Sequence, residues 1–353
     1  GLAAGDESTG FFASDLTREH LREVVKLFVA SQPSEHLVPF ERLGTGSINL
    51  LVFSLLTFIA ELKSKHSVIF AMEEPEIALP PHTQRRVTKF ILDEMGQAIV
   101  TSHSPYVIEQ FAPEQIVILA RDASKVLVGR PIRFQQAKPK TYRTERRQFA
   151  EALMSNAVLV VEGHSEAAVF PIASSILEKS VDGYVHIDLA GVSIFNAGGD
   201  GGVPIYGPTL ADLNKLAFAF YDKPNKPLKP EQLTKLSMYK QSWESPEKGL
   251  ENLLVREVSS AVITRFLEAV HDREDYPANE GEFDSSASEV DMAALAVRVL
   301  KVRKGDGYAA IFVEQCQSVD QLPKTIVDIL LVINDALKPP MQSASVGGGV
   351  SPV

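Results

Sequence analysis

Thiols are almost missing from this chain: Cys316 is the one cysteine in 353 residues. A lone thiol excludes an internal disulfide framework and a zinc site built on cysteines alone, and it suits a reducing cytoplasm. An excess of positive charge is lacking too. Lys and Arg total 35 against 45 Asp and Glu, a formal net charge of −10 with a pI near 5.4. Such a protein does not hold a polyanion by bulk charge, so a nucleic-acid partner would have to be met through local basic patches or metal ions. Long hydrophobic runs are absent. The longest, from about Ile48 to Ala60, is broken by Asn49, Ser54 and Thr57 and is too short to span a bilayer, so no membrane partner is expected. The first ten residues carry Asp6 and Glu7 and no basic cluster, so no secretory leader is expected there. Gly1 stands where an initiator methionine would, which reads as a piece of a longer chain. No G-x-x-x-x-G-K-[ST] motif occurs anywhere, so the loop that cradles a nucleoside triphosphate is missing from these residues.

What is present fits a soluble α/β protein of two to three domains. Leu16, Leu21, Val24, Val25 and Phe28 have helical spacing, with Ser14 or Asp15 as cap. A second helix is expected over 47–62. Residues 67–72 then form a short apolar run that ends in two glutamates, the pattern of a buried strand whose carboxyl end meets a site. An amphipathic helix over 84–95, a strand over 97–103 and a strand pair at 116–120 and 125–128 complete a βαβ rhythm, hence a parallel sheet. Residues 138–147 hold Lys138, Lys140, Arg143, Arg146 and Arg147 with only Glu145 opposing. They read as a solvated linker or helix start, or alternatively as a patch for a phosphate backbone. The expected division is 1–147 and 148–340, with a helical subdomain at about 245–300 and a disordered tail at 341–353. In the second part, strands are expected at 157–161, 192–196 and 216–221, and helices at 166–178, 249–270 and 290–300, with an acidic loop at 272–288.

Three segments of the first part occur in a telling order. Leu43-Gly-Thr-Gly-Ser-Ile-Asn49 opens a helix, Ile69-Phe-Ala-Met-Glu-Glu-Pro-Glu76 closes a strand, and Ile99-Val-Thr-Ser-His-Ser-Pro105 closes another. Together they resemble the signature loop, Walker B strand and switch histidine of ABC-type ATPases of the recombination and repair branch. The resemblance implies that Gly44, Gly46 and Ser47 present backbone N–H groups to a phosphate, one bound by the opposite subunit. It implies that Glu73 holds Mg²⁺, that Glu74 orients the attacking water, and that His103 senses the γ-phosphate. Without the phosphate loop, ATP is expected as a cofactor of the full-length protein only. Each piece alone has a plainer reading: a helix cap, solvated glutamates, a histidine at a strand end.

In the second part, Val158-Leu-Val-Val-Glu-Gly-His-Ser-Glu166 puts Glu162 at the end of a buried strand and Glu166 in the first turn of the next helix. Phe218-Ala-Phe-Tyr-Asp222 ends a parallel strand on another carboxylate. In a doubly wound sheet these strand ends converge on one crevice. Carboxylates there, without thiols, suit Mg²⁺ or Mn²⁺. The pattern resembles a Toprim domain, and an ATPase followed by Toprim resembles the OLD (overcoming lysogenization defect) nucleases, most like the class found beside helicase-like partners in Gabija-type anti-phage systems. The implied fold is a Rossmann-like parallel sheet with a helical insertion, preceded by the C-terminal part of an ATPase domain. The implied catalytic residues are Glu162, Asp222 and Lys304, the last in Arg303-Lys-Gly-Asp-Gly307; the glycines of Asn196-Ala-Gly-Gly-Asp-Gly-Gly202 match the family's turn. The usual Asp-x-Asp is here Asp222-Lys223-Pro224, so the second of two metals needs other ligands. Glu166 and Glu251 are the candidates, with Asp200 and Glu247 in reserve. Lys304 reads equally as a helix cap.

The implied activity is Mg²⁺- or Mn²⁺-dependent DNA cleavage by two-metal phosphodiester hydrolysis, with Lys215, Lys223, Lys226 and Lys229 receiving phosphates. A homo-oligomer is implied for the full-length protein. A topoisomerase would need a tyrosine-bearing strand-passage domain, and a primase a zinc module that one cysteine does not build. The rival of another class is a non-catalytic Toprim scaffold or DNA-binding component in a repair or defence complex.

Overall fold

The computed structural model describes residues 9–13, 25–30, 36–62, 69–122, 124–199 and 201–338. The chain divides into two compact units, Gly1–Ile116 and Val117–Val353. In the first unit, Thr9–Ala13 (β1), Val25–Val29 (β2) and Val38–Pro39 (β3) form an antiparallel sheet of order β1-β2-β3. The helix expected over 16–28 is therefore strand from Val25 onward: Val25, Phe28 and Val29 favour extended backbone, and residues 25–29 pair along their whole length with β1, which overrides the sparser helical spacing. Leu16, Leu21, Val24 and the two capping candidates lie outside the described residues, as does the tail at 341–353.

Thr45–Leu62 (α1), Ile69–Glu73 (β4), Pro81–Glu94 (α2), Gln97–Thr101 (β5) and Pro105–Ile108 (α3) follow. β4 and β5 pair in parallel, with Glu73 opposite Thr101. Buried Val87 and Ile91 of α2 pack with Phe70 of β4 and with Leu79 and Met95. Two parallel strands joined by one helix end at the same edge, which is what carries Glu73, Glu74 and His103 to one place.

The second unit opens with an antiparallel hairpin, Val117–Arg121 (β6) and Leu127–Pro131 (β7). Pro139–Thr144 (α4) and Arg146–Met154 (α5) come next, so the basic stretch 138–147 is two helical segments rather than a linker. The compact units divide at 116/117, whereas the sequence places the boundary near Gln148. Aromatic packing gives the reason: fully buried Tyr142 and Phe149 stack at 5.2 Å, and Phe149 meets Phe195 at 4.9 Å. The Asp212 carboxylate also accepts the N–H groups of Gln135, Gln136 and Ala137 at 2.8–3.0 Å, which ties this segment into the unit.

The core is a four-stranded parallel sheet of order β11-β10-β8-β9, formed by Ala157–Val161 (β8), Val192–Asn196 (β9), Leu216–Tyr221 (β10) and Gln241–Glu244 (β11). All five residues of β8 are 0% exposed, which explains an unbroken apolar run: a central parallel strand is covered on both faces. His164–Ser180 (α6), Val203–Asp212 (α7) and Pro230–Leu236 (α8) provide the crossovers. The Gln148 side chain serves the outer edge of β9, accepting from Asn196 N at 2.7 Å and donating to Asn196 O at 3.1 Å. A helical layer completes the unit: Leu250–Glu257 (α9), Ser260–Val270 (α10), Glu289–Val302 (α11), Tyr308–Glu314 (α12) and Lys324–Leu337 (α13). The helical region expected over 249–270 consists of two helices, separated at Val258 and Ser259. Helix α13, β11, α7, α8 and α12 were not read from the sequence. Among the described residues, no helix is long and apolar enough to cross a membrane.

Candidate active site

In the first unit, Glu74 follows β4 in a left-handed conformation, φ 44°, and its N–H donates to Thr101 O at 3.0 Å. A left-handed non-glycine residue at a strand end stores strain that the surroundings must hold, a recurrent property of functional positions. His103 Nε2 stands 3.4 Å from Glu74 Oε1, so the structure brings these two together. The organising residue is one the sequence reading passed over. Glu76 Oε1 accepts from Ser102 Oγ at 2.6 Å and from His103 N at 2.9 Å, fixing the backbone that presents His103. Its signal was the third glutamate of Glu-Glu-Pro-Glu. Gly46 has a packing reason: a Cβ there would lie 2.5 Å from Ala78 O, on the loop that follows β4, whereas Gly44 has open space.

In the second unit, four carboxylates meet at the carboxyl ends of β8 and β10. Glu162 leaves β8, and its Oε2 accepts the backbone N–H of Asp222 at 3.0 Å. Its own carbonyl accepts from Gly199 N at 2.8 Å, so the glycine turn after β9 is fastened to the same residue. Glu166, 2% exposed in the first turn of α6, folds back over Gly163, where a Cβ would lie 3.1 Å from Glu166 Oε2. Glu251, 4% exposed, sits in the first turn of α9. Gly249, at φ 78°, starts that helix, and a Cβ on it would lie 2.7 Å from Glu251 Oε2 and 4.0 Å from Asp222 Oδ2. Lys304, in the turn after α11, places Nζ 3.6 Å from Glu251 Oε1.

The electrostatics join these groups into one field. Burial pushes the Glu166 carboxyl above its ordinary range; a backbone hydrogen bond and Lys304 oppose this, and Glu251 and Glu162 add to it. Burial likewise pushes Asp222 up to about 7, helped by the charges of Glu162, Glu166 and Glu251 and opposed by Lys304. For Lys304, burial acts to lower the pKa, but the Glu251, Glu166 and Asp222 carboxylates together outweigh it and raise it. Like charges gathered in a poorly solvated place are costly without a cation.

The residues fit a hard divalent ion in kind. All donors are carboxylate oxygens, as Mg²⁺ and Mn²⁺ prefer. Asp222 Oδ1 and Glu251 Oε1 are buried without a hydrogen-bond partner, a cost that a cation would relieve. Among the described residues, no group of three or more His, Cys, Asp or Glu is already gathered around one point where a metal ion could sit. Glu162 Oε2 is turned to the Asp222 N–H and Glu251 faces Lys304, so Glu162, Glu166, Asp222 and Glu251 share a charge field without sharing a coordination point.

The reserve ligands change as well. Glu247 is paired with Arg256, and Asp200 lies outside the described residues. Lys215 is not a phosphate receiver. Its ammonium donates to the carbonyls of Leu153 and Ser155, before β10, at the end of that strand away from Asp222. Trp243, in β11, stacks on Phe218 at 6.0 Å and carries no chemistry. Gly249 provides a direct check on the site's construction. Gly249→Ala is expected to lower the melting temperature and cleavage together, since it adds about 1 kcal/mol of left-handed strain and drives a methyl group into the Glu251 carboxylate; thermal denaturation of the variant reads this.

Residues 8–108 match the family model of the AAA ATPase domain, and residues 153–223 match that of the overcoming lysogenization defect protein-like Toprim domain. Among solved structures, the C-terminal region of the Burkholderia pseudomallei OLD protein is similar at 16% identity, covering 52% of this chain and 99% of that one with a TM-score of 0.38. The C-terminal region of the Xanthomonas campestris pv. campestris OLD protein is similar at 18% identity, covering 53% of this chain and 96% of that one, also with a TM-score of 0.38. No curated protein sequence matches the chain. Glu73, Glu74 and His103 fall within the ATPase match, and Glu162, Glu166 and Asp222 within the Toprim match, while Glu251 and Lys304 lie beyond it. One polypeptide thus carries a match to the AAA ATPase domain followed by a match to the overcoming lysogenization defect protein-like Toprim domain.

Proposed function

We propose that the second unit is a Mg²⁺- or Mn²⁺-dependent endonuclease that nicks and cleaves DNA. The observation that carries this is the convergence of Glu162, Glu166, Asp222 and Glu251 with Lys304 at the strand ends, with a buried Asp222 oxygen that has no hydrogen-bond partner. Bound divalent ions supply an activated water and charge stabilisation for the leaving 3′ oxygen of an in-line displacement. Glu162 and Asp222 hold the ions from the two strand ends. Glu166 and Glu251 complete the set once their side chains turn from the positions described above. Lys304 meets the negative charge that grows on the phosphate. Lys223, Lys226 and Lys229 are exposed just beyond Asp222, where they steer the backbone of a DNA strand toward a protein that is acidic overall. The ATPase half, a homo-oligomer, a helicase-like partner and a cytoplasmic defence role belong to the same proposal for the full-length protein.

Supercoiled plasmid incubated with the purified chain and Mn²⁺ or Mg²⁺ is expected to give nicked and then linear forms, and EDTA to stop the reaction. Inactivity at every metal concentration favours the scaffold reading, for which the pairing of Glu251 with Lys304 already offers a structural use of two of the five residues. The same chain is expected to bind ATP weakly or not at all, because no phosphate loop lies within its 353 residues. Titration calorimetry that returns low-micromolar ATP affinity sinks this expectation.

A further inference from the structure

Beside Asp222 lies a cavity of about 410 Å³ that the chemistry above does not use. Tyr221 and Lys223, the two sequence neighbours of Asp222, both line it, so it lies one residue along the chain from that carboxylate, although none of Glu162, Glu166, Asp222 and Glu251 is in its wall. Its walls are largely apolar, with Pro224 and Leu233 among them, while Lys223 and Lys226 bring positive charge and Glu244 a carboxylate.

We infer that this cavity holds one unpaired base of the DNA strand, next to the phosphate that the carboxylates handle; the inference rests on the nuclease reading. Apolar walls and a tyrosine ring suit the face of a base, the usual platform for single-stranded nucleic acid. A carboxylate in the lining is wrong for a phosphate but right for the exocyclic amine of a base, as when an acidic side chain accepts from cytosine N4. In a duplex both faces of a base are covered by its stacked neighbours, so the base must leave the stack to lay a face against these walls. Lys223 and Lys226 then meet the flanking phosphates. Charge supports the placement: residues 223–248 carry six lysines and three glutamates in a chain of net charge −10. Pro224, Pro227 and Pro230 restrict the loop before any strand arrives, which lowers the ordering cost of binding. The substrate class is therefore DNA with an unstacked base at the cleavage point, such as a flap, a gap, a frayed end or a base extruded from negatively supercoiled plasmid.

The test reads binding without metal. Fluorescence anisotropy with a labelled single-stranded 20-mer, and with the same sequence as a duplex, is measured in EDTA at fixed salt. Leu233→Glu, at a residue 53% exposed and hence harmless to folding, puts a second carboxylate at the cavity. It is expected to weaken single-strand binding about tenfold, the size that stacking one base carries, and to change duplex binding less than twofold. Tyr221→Ala should behave likewise and Tyr221→Phe like the parent. Equal weakening of both DNAs, or none, overturns the base site. Loss of cutting in Asp222→Asn, together with unchanged single-strand binding in Leu233→Glu, removes the base site and keeps the nuclease. Strand-selective binding by a protein that cuts nothing keeps the base site and removes the nuclease.

Discussion

Asp222→Asn is expected to lose plasmid cleavage and, in the absence of metal, to melt a few degrees higher than the parent protein at pH 8. The two effects have one cause. In the folded chain burial and three neighbouring carboxylates push Asp222 up to about 7 from an ordinary 3.8. Between those values the folded state binds more protons than the unfolded state, so stability falls as pH rises through that window and the full penalty stands above pH 7. Asparagine keeps the shape, leaves the backbone N–H that Glu162 accepts, and removes the charge. After discounting for partial exposure, a gain of about 1–2 kcal/mol is expected at pH 8, with about 2–4 °C of melting temperature per kcal/mol for a unit of this size. Near pH 4, where the parent carboxyl is protonated when folded, the gain should vanish. Calorimetry in EDTA at pH 4, 6 and 8 reads the stability, and nicking with Mn²⁺ reads the chemistry. A variant that nicks at the parent rate takes Asp222 out of the site. A melting gain of the same size at every pH assigns it to something other than relieved charge.

The strand ends were legible because a buried parallel strand announces itself. Ala157-Val-Leu-Val-Val161 and Leu216-Ala-Phe-Ala-Phe-Tyr221 are apolar throughout, and a carboxylate directly after such a run is held at the sheet edge by the chain itself. The apolar run ahead of Glu73 and Glu74 marked β4 in the same way, but that strand is not the buried one expected: only Phe70 of it is buried, and Glu73 is its last residue. β11 was illegible for the converse reason: Gln-Ser-Trp-Glu is four residues long, polar at three of them and at the sheet's margin, so neither length nor alternation marks it. The break between α9 and α10 was hidden because both helices keep an apolar face toward the same core, and only Ser259 marks a new start. Relations between distant side chains carry no local signal. The grip of Glu76 on Ser102 and His103, the spending of Lys215 on two carbonyls, and the turning of Glu162 toward the Asp222 N–H all follow from how the chain folds back on itself. Residue types at a site could thus be named from the sequence, while their orientations could not.

Lys304→Ala is expected to slow single-turnover cleavage by about 10²-fold or more while changing Mn²⁺ affinity far less, because an ammonium that meets charge developing in the transition state acts on the rate rather than on ground-state binding. Its position leaves a structural rival that must be separated from this. Lys304 Nζ lies 3.6 Å from Glu251, which is 4% exposed, so the alanine variant strands a buried carboxylate and should also be less stable. The sign is set by the raised pKa of Lys304: its stabilising charge is fully present below the ordinary lysine value of 10.5 and is lost only as pH rises through the still higher folded value. The stability loss should therefore be complete at pH 8. Adding Glu251→Gln removes the stranded charge, so the double variant should recover stability but not cleavage. Arginine at 304 should rescue poorly, since a planar fork does not replace a compact ammonium. Thermal denaturation, Mn²⁺ titration calorimetry and single-turnover cleavage on the three variants read these outcomes. Should Lys304→Ala cut at the parent rate, the lysine serves only as counter-charge to Glu251, and Lys223, exposed next to Asp222, becomes the cation to test.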